Sequence, residues 1–166
     1  MTDMPVYMHF IFAFISTVGF AIFLKAPKST LIPSGFIGGI GWSVYYSIVT
    51  ATDNNIASNF IAAILISLFS EIFARKLKQP AIVFIIPGII LLVPGLGMYN
   101  TMLYLVQTNY TDAIAKGSDV LFVAGAISMG VLVVTSLFKT MNLISRKKGL
   151  SQNKKIVPQK GRDELT

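Results

Sequence analysis

Apolar residues along this chain fall in continuous blocks of close to twenty, separated by short polar or basic breaks. That is the length an α-helix needs to cross a hydrocarbon core. The pattern predicts span one over Tyr7–Leu24, ending at the basic break Lys25–Lys28, and span two over Leu31–Thr50, closing on the polar turn Thr52–Asn55. Span three is expected over Ile56–Ala74, closed by Arg75–Lys78. Span four begins after Pro80, reaches at least Leu96 and is interrupted inside. Asn109–Lys116 reads as a polar segment, and Asp119–Met141 as a last span running into a basic tail. Runs such as Ile61–Phe69 and Ala81–Val93 are continuous, whereas a membrane β-strand would alternate in polarity. The predicted fold class is therefore all-α: a polytopic membrane helix bundle of about five transmembrane helices.

Composition agrees with this. Of 166 residues, 54% are hydrophobic and 13% charged, too little polar material to coat a soluble globule of this size. The net charge of +7 would suggest nucleic acid in a soluble domain, but the basic residues flank spans or lie in the tail, so lipid is the partner they imply and nucleic acid is not. They also orient the bundle. Two follow span one (Lys25, Lys28), three follow span three (Arg75, Lys76, Lys78) and eight lie from Lys139 onward. With five spans these share one side and leave Lys116 with Asp3, Asp53, Asp112 and Asp119 on the other. The positive-inside rule then puts the N-terminus outside and the C-terminus in the cytoplasm of a multi-pass cell (inner or plasma) membrane protein. A four-span arrangement, with span one cleaved or span four re-entrant, would put basic clusters on opposite sides. Met1–Pro5 carries Asp3 and no basic residue, so span one does not read as a cleaved signal. Residues 1–145 form the membrane domain. The lysine-rich stretch 146–166 is expected to be a disordered cytoplasmic tail, resting on anionic headgroups or serving only as a topology anchor.

The chemistry concentrates on spans three and four. At about 100° per residue, Asn59, Ala63, Ser67, Ser70, Glu71 and Ala74 share an arc of about 120°, a small and polar stripe opposite Ile, Leu and Phe. It marks either a polar path or a packing seam whose hydroxyls bond to backbone. Apart from Asp119 at the very start of the last span, Glu71 is the single acidic residue inside a predicted span. Arg75, one turn on, makes an i,i+4 ion pair the structural reading, and a proton or substrate relay is the functional one. Span four carries Pro87-Gly88 and, seven residues later, Pro94-Gly95, which would return both breaks to nearly one helix face and free backbone carbonyls at membrane depth. Interrupted helices of this kind line sites in many transporters, and Tyr99, Asn100 and Thr101 supply hydrogen-bonding groups just beyond. Gly35 with Gly39, and Ala126 with Gly130, are small pairs four apart that suit close helix packing. Trp42, Tyr45 and Tyr46 read as interface anchors, and His9, the one histidine, as interfacial or packed. With no cysteine and no acidic cluster around His9, the sequence offers no metal site. Nor does it hold a cofactor motif or a nucleophile and base pair, so an enzyme is not expected.

The stretch Ser70-Glu71-Ile72-Phe73-Ala74-Arg75, then Pro80, then Pro87 through Gly95, with Gly41-Trp42 and Tyr45 upstream, resembles the threonine/serine exporter family over most of residues 30–140. Leu91 stands where that family usually carries a further proline. More narrowly, the chain looks like the small subunit of the split, two-gene form, equivalent to the C-terminal half of the fused exporter. The resemblance implies secondary export of small hydrophilic metabolites, threonine and serine or a dicarboxylate such as succinate. It also implies a separate, larger membrane subunit as partner; contacts between copies of the chain are left open. The competing reading is a non-transporting scaffold or assembly subunit, in which stripe and glycines only pack a partner.

Overall fold

The computed structural model describes the backbone of residues 5–156 and the side chains of residues 5–141. All regular structure among them is helical: α1 (Val6–Phe23), α2 (Lys28–Thr52), α3 (Asn55–Leu77), α4 (Ile82–Ile89), α5 (Gly95–Val106) and α6 (Tyr110–Ile156). Three helices, α1, α3 and the Tyr110–Met141 part of α6, are long and apolar enough to cross a membrane. α2 is long enough at 25 residues but is diluted by glycine, serine and threonine. α4 and α5, at 8 and 12 residues, rise only about 12 and 18 Å and would cross together or not at all.

Local chemistry sets the ends. Asn54 caps α3 by accepting from the Ala57 amide at 3.1 Å. Asn109 caps α6, taking the Asp112 amide at 3.4 Å while its own side-chain amide donates to the Asp112 carboxylate at 2.6 Å. Lys25, Asp53, Lys78 and Thr108, just past α1, α2, α3 and α5, all adopt left-handed backbone with φ of 52–59°, although none is glycine. The paired bonds Lys25 N–H to Ile22 and Ala26 N–H to Ala21, both 2.9 Å, close α1 in the manner of a Schellman motif.

In lipid, helices gain little from the hydrophobic effect and associate by close packing, so small residues decide which faces meet. α1 lies antiparallel on α2 with Phe14 and Val18 over Gly35, Thr17 over Gly38 and Phe10 over Gly39. The Gly35/Gly39 pair thus receives a helix, as its spacing predicts. α2 turns into α3 with Gly41 against Ile66, and α6 runs parallel to α3, pressing Gly130 onto the backbone of Phe60–Ile64. Ala126 is half-buried nearby. α5 folds back on α6, with Gly97 against Val120 and Thr101 against Gly117. The core joins Ile37, Ala62, Ile66, Phe84, Leu92, Val123 and Ile127.

Two expectations need correction. Pro87-Gly88 does not break span four: both residues lie inside α4, buried, and Gly88 serves close packing on Ile66 and Ile37. The chain leaves the helix at 90–94, a break that ends on Pro94 where α5 begins, so the second Pro-Gly does interrupt span four but the two steps do not share a helix face. The polar segment Asn109–Lys116 is the capped first turns of α6, with only a short turn at 107–109 before it. The backbone of α6 continues to Ile156, and the remainder of the tail lies outside the described residues.

Candidate functional site

The stripe on span three is the buried face of α3. Asn59, Ala63, Ser67, Ser70 and Ala74 are all buried, and Glu71 is half-buried at the edge of the stripe. Ile66, which interrupts it, is the residue on which α2 and α4 close. The seam differs in one respect from the packing expectation. The buried hydroxyls of Thr17, Thr30 and Ser58 bond to backbone carbonyls at 2.7–2.8 Å, but those of Ser67 and Ser70 have no partner. Asn59 donates to the Asn55 carbonyl at 2.8 Å and leaves its own Oδ1 unpaired.

Where α3 ends, an open recess of about 460 Å³ is lined by Glu71, Ala74, Arg75, Lys78, Gln79, Pro80, Ala81 and Lys139. It gathers one carboxylate and three cations from α3, the α3–α4 turn and α6. Parallel packing of α3 and α6 brings Lys139 there. Lys78 and Lys139 were read only as topology charges; the available signal was that spans three and five end on the same side. The Glu71–Arg75 ion pair, one of the two readings left open by the spacing, is not formed among the described residues: Arg75 instead lays its guanidinium carbon 4.5 Å from the Phe138 ring centroid. Glu71 is therefore free of its helical neighbour and faces the recess.

The remaining candidates are dispersed. Pro87 lacks an amide hydrogen, so the carbonyl of Val83 has no i+4 donor within α4. Pro94 precedes α5, and Gly95 has open space where a side chain would be. Tyr99 is exposed and Asn100 half-buried on α5, a helix with no buried residue, so neither joins the Glu71 recess. At the opposite end, Tyr45 donates to Asn55 Oδ1 at 2.7 Å, and His9 is packed, its ring stacked 3.9 Å from that of Tyr46. Two further residues went unremarked in the sequence: Pro33, inside α2, and Ser34 beside it, fully buried with an unpartnered hydroxyl.

The family model described as Threonine/Serine exporter, ThrE matches residues 9–137. The chain belongs to the threonine/serine exporter family. No solved structure matches it. In this exporter-family chain the matched range takes in α2 through α5, nearly all of α1 and most of the membrane-length part of α6. The unpaired serines, Glu71 and both Pro-Gly steps lie within it, and Lys139 falls just past its end. The chain is thus a membrane transporter domain of exporter type, which is not an enzyme class.

Proposed function

We propose that this chain is one subunit of a secondary exporter in the cell membrane, moving small hydrophilic metabolites outward. It works with a separate, larger membrane subunit. α4 and α5 together make the fourth of five passes, the N-terminus is outside, and the end bearing Lys25, Lys28, Arg75, Lys78 and Lys139 is cytoplasmic. The solute enters at the recess. There Glu71 meets an ammonium group, while Lys78, Lys139 and Arg75 meet a carboxylate. An α-amino acid presents both charges, and a dicarboxylate such as succinate presents two for the cations. From the recess the path follows the α3 seam past Ser70 and Ser67.

The observation that carries this reading is the recess itself, with a carboxylate that is unpaired among the described residues beside three cations, and the buried, unbonded hydroxyls of Ser70 next to it and Ser67 one turn along the same helix. The test is efflux of threonine, serine and succinate from preloaded cells lacking this gene, complemented with wild type or Glu71→Gln. Loss of efflux restored by wild type and not by Glu71→Gln supports the exporter reading. Unchanged efflux of all three moves the scaffold reading ahead.

A further inference from the structure

Three buried hydroxyls depart from the pattern of the other buried serines and threonines. Ser34, Ser67 and Ser70 are each 0% exposed, and none of their hydroxyls has a hydrogen-bond partner. A carbonyl one turn earlier is the usual acceptor for a helical serine, and Thr17, Ser43 and Ser58 use it. An unmet hydroxyl in an apolar interior is destabilising.

The helix register brings the three together. Gly88 of α4 abuts both Ile66 of α3 and Ile37 of α2. One turn toward the basic end from that contact lie Ser70 on α3, Ser34 on α2 and Phe84–Ile85 on α4. Ser67 is next to Ile66 itself. Phe84 and Ile85 are buried, 0% and 5% exposed, so at this level α4 turns an apolar face inward against α2 and α3. α4 is also mechanically separate. It has eight residues, the left-handed Lys78 and Pro80 at one end, the non-helical 90–94 at the other, and Pro87 deleting an internal hydrogen bond.

Resting on the exporter reading, we propose that α4 is the gate of the path and that Ser34, Ser67 and Ser70 are the solute-binding hydroxyls beneath it. The eight-residue helix swings off α3 as a rigid piece about 78–81 and 90–94. A small solute bearing hydroxyl, ammonium or carboxylate groups then supplies the partners that the three serines lack. The structure is the covered state.

The chain has no cysteine, so single thiols report directly. In inside-out membrane vesicles, Ser70→Cys is treated with a small water-soluble methanethiosulfonate. Arg75→Cys, exposed, and Thr17→Cys, buried between α1 and α2, are the references. With an open state populated at roughly 0.1–10%, Ser70→Cys should react about 10- to 1,000-fold more slowly than Arg75→Cys, yet clearly faster than Thr17→Cys. Reaction no faster than Thr17→Cys overturns the gate, and this readout requires no transport. Separately, Ile66→Cys with Gly88→Cys places thiols where a disulfide can close, because a Cβ at Gly88 lies 2.9 Å from Ile66 Cγ2. Oxidation should reduce efflux to the level of cells lacking the gene, and reduction should restore it. Wild-type efflux that persists in the oxidised pair overturns the gate while leaving the exporter reading intact. Labelling of Ser70→Cys in a protein that exports none of the three solutes keeps the gate and removes the substrate assignment.

Discussion

Gly125 and Gly130 lie on the same helix five residues apart, and the structure predicts opposite outcomes when each becomes alanine. A methyl group at Gly130 would stand 2.9 Å from the Phe60 carbonyl oxygen, 3.0 Å from Ala63 Cβ and 3.3 Å from the Ile64 amide nitrogen. Ordinary contact is about 3.5 Å or more, so α6 and α3 must separate by roughly half an ångström, and backbone atoms cannot rotate aside. Gly125 has nothing within 4 Å of the same position. Alanine favours a helix over glycine by about 0.8–1.0 kcal/mol at either site. Overpacking at Gly130 costs about 1–3 kcal/mol. Gly125→Ala should therefore be stabilising by up to about 1 kcal/mol and Gly130→Ala neutral to destabilising by about 2, with the difference isolating the clash. Trp42 is the single tryptophan and packs against the core beside Tyr45, its ring 5.2 Å away, so its emission can follow unfolding of the full chain in mixed micelles. Leucine at the two positions should widen the gap further. Equal stability of Gly125→Leu and Gly130→Leu would refute the α3–α6 interface on which the recess depends.

Ser70→Ala should raise stability by about 1 kcal/mol, because an unbonded buried hydroxyl is removed, while lowering efflux; a loss of stability in the same micelle titration would mean the hydroxyl has a partner. Thr108→Gly should also stabilise, by up to about 1 kcal/mol, since a β-branched residue holds left-handed backbone at φ 59° in the α5–α6 turn; a lowered unfolding midpoint would contradict that strain. Lys78→Gln with Lys139→Gln removes two of the three cations at the recess and should slow efflux of succinate more than that of serine. Unchanged efflux of both solutes would place the charges outside the path.

Much of this protein followed from its sequence alone. Block length and composition determined an all-helical membrane chain, because lipid leaves backbone groups no partners except within a helix. The spacing of Asn59, Ala63, Ser67, Ser70 and Ala74 already marked the buried face of α3, and Gly35 with Gly39 marked where a helix would approach. These are properties of one helix and its period. The tertiary structure decided what depends on a neighbour. Arg75 lies on Phe138 instead of Glu71, since α6 supplies an aromatic face at the distance where the ion pair was expected. Span four leaves the helix at 90–94 and not at Pro87, because α4 is clasped between α2 and α3 around Gly88 and a packed helix tolerates one missing hydrogen bond. Tyr99 and Asn100 stand apart from the Glu71 recess because α5 packs on α6. Ser34 comes to the level of Ser70 through the meeting of α2, α3 and α4 around Gly88. No single helix encodes that meeting, because unlike helical periodicity it depends on the depth at which each one packs.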